Sequence, residues 1–166
     1  MNAEIKLQTD GTKQPLSCFQ HAWRHKRRLT APFLSGADWL KREVSLYAKA
    51  ADGWHKWLAT AKLSEAEQRQ VNDRALLVER ALLQQASLSG RPTFRHLVFS
   101  PQVSNAYAGK GFPVVHDLVY RIGRLKPGPE RERLWRQVRA FVNQACIAIR
   151  AAHTLLSPDL ALPLAA

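Results

Sequence analysis

Apolar residues recur along the first half of the chain at alternating steps of four and three, the spacing of one helix face. The pattern predicts a first helix capped by Ser35 or Asp38. It predicts a second helix from Ser64, because Glu67 completes a capping box, and the Gly- and Pro-containing run at 87–92 ends this helix. The first apolar face is Leu40, Val44, Tyr47, Ala51, Trp54 and Leu58, and the second is Val71, Ala75, Val78 and Leu82, widened by Leu76 and Leu83.

Two further helices are predicted in the second half, and each starts at a proline suited to a first turn. Pro113 begins a short helix that closes near Gly123, and Pro129 begins a long final helix. The C-terminal half of the final helix is apolar nearly all round, which indicates either a central bundle position or a surface shared with a partner subunit. Its main apolar stripe is Leu134, Val138, Phe141, Ala145, Ile149, Ala152 and Leu156.

A non-helical stretch separates the two pairs of helices. Residues 94–100 have the β-branched and aromatic content of a short strand or an extended segment, and a Pro-, Asn- and Gly-containing loop follows them. We therefore expect an all-α, four-helix bundle-like domain over residues 34–157, with one long cross-connection at about 85–113. Residues 1–33 are predicted to form an irregular basic tail and residues 158–166 a C-terminal tail.

The chain carries an excess of positive charge. Lys and Arg number 25 against 13 Asp and Glu, giving a formal net charge of +12, which favours polyanions or anionic lipid surfaces at long range. The "RHKRR" cluster at 24–28 would concentrate that attraction. Elsewhere bases alternate with acids along the predicted helices, and no nucleic-acid-binding module accompanies the cluster. Solvated helix faces are therefore favoured, and no specific nucleic acid is expected as a partner.

Cysteine content and hydropathy narrow the class of protein further. Cys18 and Cys146 are the only cysteines, so no disulfide framework is indicated. The N-terminal region lacks the apolar core of a signal peptide, and no stretch reaches the roughly 18 apolar residues of a membrane span. Neither secretion nor membrane insertion is expected from this chain, and its compartment stays open.

Residues that would support catalysis or metal binding are sparse. The sequence contains no zinc-peptidase HExxH, no GxSxG, no CxxC pair and no phosphate loop. Cys18, His21 and His25 have ligand-like spacing without an evident fourth ligand, so a solvated basic segment is favoured. His96 is predicted to be a buried, hydrogen-bonded structural residue, and Asp117 a surface or capping group. We expect no catalytic residue, no metal ligand and no cofactor in this chain.

Three ordered motifs distinguish residues 72–113. They are "NDRALLVERALL", "FRHLVFSP" and "NAYAGKGFP", and the long terminal helix follows them. In this order the chain resembles the C-terminal helical dimerisation domain of the glutamate carboxypeptidase II and transferrin receptor family over about residues 35–157. The resemblance implies a helical module that buries a largely hydrophobic two-fold interface.

The resemblance also implies a separate zinc peptidase domain, with two zinc ions, in full-length members, and a membrane anchor in many of them. Residues 1–34 offer nothing that matches such a peptidase domain. In the glutamate carboxypeptidases a loop of the helical domain reaches into the substrate pocket, and Asn105 and Tyr107 occupy matching positions. Ala106 stands where that loop has a lysine, so we expect a weakened preference for glutamate in any full-length form.

The sequence thus predicts a non-catalytic helical association module that forms a homodimer or binds a peptidase-domain partner. One alternative is the C-terminal part of an active zinc-dependent carboxypeptidase, to which Asn105 and Tyr107 contribute substrate contacts. A second alternative is a small basic protein that binds nucleic acid or an anionic membrane through residues 24–28.

Overall fold

Four α-helices form most of the part of the chain that the structure describes. The computed structural model describes residues 31–88, 90–103 and 111–157, with the backbone alone for residues 31–35. No strand occurs within these ranges, so the predicted all-α class is confirmed. In chain order the helices are α1 (Ala31–Thr60), α2 (Glu65–Ala81), α3 (Pro113–Arg124) and α4 (Pro129–Leu155).

The first helix starts earlier than its apolar pattern indicated. Ser35 and Asp38, the two predicted caps, both lie inside α1, so that prediction was wrong. Pro32 occupies the first turn, where the missing N–H of proline costs the helix no hydrogen bond. α1 therefore includes residues 31–33 of the predicted irregular tail. The rest of that tail and the predicted tail at 158–166 lie outside the described residues.

The second helix starts as predicted and ends earlier. Glu67 Oε2 accepts from Ser64 N at 2.7 Å, and Ser64 Oγ accepts from Glu67 N at 3.4 Å, which confirms the capping box. Hydrogen bonding to Ser64 lowers the pKa of the Glu67 carboxyl. The predicted end at 87–92 was wrong, because α2 stops at Ala81 and the chain then pairs with the returning arm of the cross-connection.

The cross-connection folds back on itself after α2. Backbone hydrogen bonds from Gln84 N to Arg95 O (2.9 Å) and from Leu97 N to Leu82 O (3.0 Å) join its two arms. These bonds form only isolated bridges. Of the two predicted alternatives for residues 94–100, the structure therefore shows the extended segment and not the strand. Gly90 lies in the turn between the arms at a φ of 74°, where the absence of a Cβ removes the steric penalty.

α4 lies at the centre of the domain and packs against each of the other helices. Its predicted stripe is buried throughout, which confirms the central bundle position. Val142 and Cys146 beside the stripe are buried too, whereas Ile147 is 60% exposed. No other pair of helices packs extensively in the ranges given above, so α4 is the common support of α1, α2 and α3.

Arg74 of α2 binds the C-terminal end of α4. Its Nε donates to Leu155 O at 2.5 Å, its Nη2 donates to Ser157 O, and its guanidinium lies 5.1 Å from the ring centroid of Trp54 on α1. The last carbonyls of a helix lack intrahelical donors and carry the negative end of its dipole. Arg74 therefore satisfies carbonyl oxygens at the end of α4 and joins α1, α2 and α4 there.

Candidate association surface

The side of α2 that faces away from α4 exposes large apolar side chains. Leu76 is 58% exposed and Leu77 46%, and Leu83, just past the helix, is 42% exposed. Val71 and Val78, on the opposite face, are buried. The prediction that Leu76 and Leu83 widen a packed face was wrong for the single chain, because α2 packs extensively only on α4 and no described helix covers its outer side.

Two charged residues flank the exposed leucines of α2. Asp73 precedes them by one turn, Arg80 follows them by one turn, and both are exposed. Asp73, Leu76, Leu77 and Arg80 share one helix face, which we call the α2 outer stripe. Within the described part of the chain, neither of the two charged side chains has an ion-pair partner.

Ile147 of α4 adds a further exposed apolar side chain near the end of α2. Gln84 Nε2 donates to Gln144 Oε1 at 2.7 Å, which joins the residue after Leu83 to the turn of α4 that precedes Ile147. Leu83 and Ile147 therefore lie beside the contact between the cross-connection and α4. Both are exposed apolar side chains outside the α2 outer stripe.

Glu43 of α1 is fully buried against α4. Its Oε1 accepts from Trp39 Nε1 at 2.8 Å and from Arg150 Nη2 at 2.6 Å, and its Oε2 lies 3.0 Å from His153 Nε2. These hydrogen bonds, led by that of Arg150, outweigh burial and lower the pKa of Glu43 from 4.5 to about 2. An ionised carboxylate only accepts, so His153 Nε2 carries the donated proton.

The surroundings of Glu43 hold helices together and offer no nucleophile. Burial, followed by the negative charge of Glu43, raises the pKa of Cys146 to about 11, so its thiol stays protonated at neutral pH. Arg150 is half exposed and lies with its guanidinium 5.4 Å from the ring centroid of Trp39. The hydrogen bonds of Glu43 thus join α1 to α4.

A second ion pair, in which both side chains are largely buried, joins the cross-connection to α3. Arg91, whose side chain is 5% exposed, pairs with Asp117, and its Nε donates to Pro101 O at 2.6 Å. Asp117 Oδ2 also accepts from Val103 N at 3.2 Å. The prediction that Asp117 is a surface or capping group was therefore wrong, because its carboxylate neutralises a buried cation. Together these contacts fix the chain just before residues 104–110.

His96 has the structural role that its sequence context predicts. Its Nδ1 accepts from Val98 N (3.1 Å) and Phe99 N (2.9 Å), and its Nε2 lies 3.2 Å from Glu79 Oε1. Because Nδ1 accepts two hydrogen bonds, the ring is the neutral tautomer with its proton on Nε2. The histidine thereby joins the returning arm of the cross-connection to α2.

The residues predicted to contact substrate lie outside the described residues: Asn105, Ala106 and Tyr107 are not among them. The same holds for Cys18 with its two neighbouring histidines and for the basic cluster at 24–28. In the part that the structure does describe, no group of three or more His, Cys, Asp or Glu residues is placed to hold a metal ion. No helix there is long and apolar enough to cross a bilayer. The substrate contacts therefore stay predictions.

The family model of the transferrin receptor-like dimerisation domain matches residues 32–157. The match takes in all four helices except the first residue of α1. The chain belongs to this family. Its dimerisation domain therefore includes the cross-connection and the ion pairs of Glu43 and Arg91, together with the α2 outer stripe.

Plant glutamate carboxypeptidase-like proteins are among the relatives of this dimerisation domain. The probable glutamate carboxypeptidase LAMP1 of Arabidopsis thaliana is 33% identical over 92 residues, 55% of this chain and 13% of that protein. The probable glutamate carboxypeptidase AMP1 of Arabidopsis thaliana is 30% identical over 119 residues, 68% of this chain and 16% of that protein. The chain thus matches less than a fifth of the length of either relative.

The sequence motifs identified the dimerisation domain but not the ion pairs of the buried Glu43 and Arg91. Trp39 and Glu43 are four residues apart, and Arg150 and His153 are three apart, so each pair shares one helix face. That spacing was a usable signal for a polar contact between two helices. It did not show which faces of α1 and α4 meet.

Proposed function

We propose that this chain is a non-catalytic dimerisation module that pairs with a second copy of itself. The observation that carries the proposal is the family match over residues 32–157. The exposed Leu76 and Leu77 support it, since they give the fold an apolar surface that a partner would cover. The non-catalytic part is supported by Glu43 and Arg91, whose buried charges are committed to contacts within the fold.

The energetics of apolar burial favour such an association. Full burial of a leucine side chain contributes about 1.5–3 kcal/mol, and a two-fold interface counts each residue twice. Association costs translational and rotational freedom, so a cluster of apolar residues is needed. Leu76 and Leu77 lie side by side on α2, and Leu83 and Ile147 are further exposed apolar side chains on each copy.

Sedimentation of the purified chain tests the proposal. We expect a species of twice the 18.8 kDa mass of one chain at micromolar concentration. We also expect no hydrolysis of an N-acetylated acidic dipeptide when zinc is added. A folded monomer at these concentrations would overturn the dimerisation proposal, and turnover that persists through repurification would overturn its non-catalytic part.

A second candidate function is a substrate-pocket segment of a zinc carboxypeptidase. The names of the plant relatives suggest it, and the contacts at both ends of residues 104–110 support it. Val103 N binds Asp117 on one side, and Phe112 N donates to Val98 O at 3.0 Å on the other. These contacts fix the described residues on either side of 104–110, the range that contains Asn105 and Tyr107.

The gene product itself tests this second function. We expect a longer transcript to encode His, Asp and Glu zinc ligands upstream of this chain. In the resulting enzyme Tyr107→Phe would lower kcat/KM for an acidic dipeptide, whereas Tyr120→Phe, at an exposed position on α3, would not. Transcripts that encode only the present chain would count against it.

A further inference from the structure

The α2 outer stripe is complementary to its own reverse. In chain order its residues are an acid, two leucines and a base: Asp73, Leu76, Leu77 and Arg80. The midpoint of the stripe lies between Leu76 and Leu77. Reversing the direction of the helix therefore exchanges the two leucines with each other and exchanges Asp73 with Arg80.

The stripe lies on the side of α2 that the rest of the described fold leaves uncovered. At about 100° per residue, its centre is roughly 150–170° around the helix from Val71 and Val78, which pack into the core. Leu76 is 58% exposed and Leu77 46%. A second helix can therefore approach the stripe without displacing any contact described above.

We infer that α2 packs antiparallel against α2 of a second copy of this chain, across a two-fold axis that passes between Leu76 and Leu77. The inference rests on the proposed dimerisation and assigns its central contact. Asp73 faces the partner's Arg80, Arg80 faces the partner's Asp73, and the leucines of both copies form the apolar centre. Such an interface is isologous, because each copy contributes the same surface.

Charge complementarity is the argument for a second copy as the occupant. In the antiparallel arrangement the two copies form two acid–base contacts and bury four leucines between them. A parallel arrangement in register would place Asp73 against the partner's Asp73 and Arg80 against the partner's Arg80, which is unfavourable.

Disulfide trapping tests the geometry directly. In a Cys18→Ser background, where the remaining Cys146 is buried, Leu76→Cys places two thiols beside the proposed axis. We expect the mild oxidant diamide to convert this variant into a covalent dimer. Gln68→Cys is the matched control on the same helix, because its two copies would lie about 25 Å apart along the helix axis at 1.5 Å rise per residue.

Charge reversal tests the pairing without a covalent bond. Asp73→Arg alone places like charges in contact twice, so we expect the dimer dissociation constant to rise at least about tenfold. Arg80→Asp alone should have a similar effect. The double variant, Asp73→Arg with Arg80→Asp, restores opposite charges across the interface. Its dissociation constant should return to within about threefold of the wild-type value, since the two residues form one contact. Asp52→Arg, an exposed reversal on α1, is the control and should leave the dissociation constant unchanged.

The possible results separate this inference from the proposed function. The α2 contact is supported if the double charge variant regains the dissociation constant of the wild type. It also requires that Leu76→Cys, and not Gln68→Cys, forms a covalent dimer. A wild-type dimer that none of the α2 variants affects, and that Leu76→Cys does not trap, overturns the α2 contact and leaves dimerisation standing. A monomeric wild type overturns both. If a reversed variant fails to fold by circular dichroism, the trapping experiment decides.

Discussion

At the residue scale, the charge of Glu43 is the feature of the core that most needs an explanation. A carboxylate without exposed surface destabilises a fold unless its charge and its lone pairs are matched. Trp39, Arg150 and His153 supply that match at 2.8, 2.6 and 3.0 Å. Because two of these donors belong to α4, the carboxylate favours one particular placement of α1 on α4.

The stability of the domain should fall in acid through Glu43. Its folded pKa of about 2 lies below the ordinary value of 4.5, so its contribution is fully present above pH 4.5 and is lost as the pH falls through about 2. Glu43→Gln should therefore be less stable at neutral pH and lack this component of acid destabilisation. Urea unfolding followed by circular dichroism from pH 7 to 2 measures it.

Asp52→Asn, at an exposed position on the same helix, is the control for that measurement and should keep the wild-type pH profile. If Glu43→Gln and the wild type lose stability in parallel between pH 4.5 and 2, the buried carboxylate does not have the role assigned to it.

At the element scale, the periodicity of the sequence predicted all four helices, but it misplaced the start of α1 and the end of α2. The stripe of α4 and the capping box at Ser64 depend on residues close in sequence, and both were correct. The start of α1 was missed because Pro32 is compatible with a first turn and gives no stop signal. The end of α2 was missed because backbone pairing of Gln84 with Arg95, a tertiary contact, ends the helix before its local signals do.

The candidate site was less predictable than the elements. Motif order identified the dimerisation domain. The exposure of Leu76 and the burial of Glu43 depend on how the helices are rotated about their axes when they pack. An apolar pattern that is wide enough to suit several rotations does not specify that rotation.

The Arg74 contact gives a prediction for the end of α4. Arg74→Ala removes both hydrogen bonds to the terminal carbonyls and the contact with Trp54, so we expect a loss of about 1–3 kcal/mol in the free energy of unfolding. Arg74→Lys keeps the charge and loses the two parallel N–H donors of the guanidinium. Its free energy of unfolding should therefore lie between those of the wild type and Arg74→Ala. Urea unfolding at neutral pH gives all three values.

Arg42→Ala, which removes an exposed arginine of α1, is the comparison and should change stability by less than about 0.5 kcal/mol. An equal loss in both variants would show that the contact with the end of α4 contributes nothing specific.

At the scale of the whole molecule, folding and association should be coupled. A partner that binds only the folded chain stabilises it by mass action. If the α2 outer stripe is covered in a dimer, part of the apolar burial that stabilises the domain lies between copies. The stability of this chain would then depend on its own concentration.

Thermal unfolding at several protein concentrations checks that dependence. We expect the Tm of the wild type to rise over a hundredfold increase in concentration, because the dimer dissociates on unfolding. The Tm of Asp73→Arg should rise less over the same range. A wild-type Tm that does not change with concentration would contradict the coupling.

The central position of α4 determines how the chain should behave after cleavage into two fragments. The cross-connection divides the helices into an N-terminal pair, α1 and α2, and a C-terminal pair, α3 and α4, yet the extensive packing of the described helices runs through α4. A protease cut between the pairs would strip the N-terminal piece of its support, and the C-terminal piece would keep α3 on α4. The two peptides should therefore reassemble by fragment complementation, with the C-terminal peptide as the template on which the other folds.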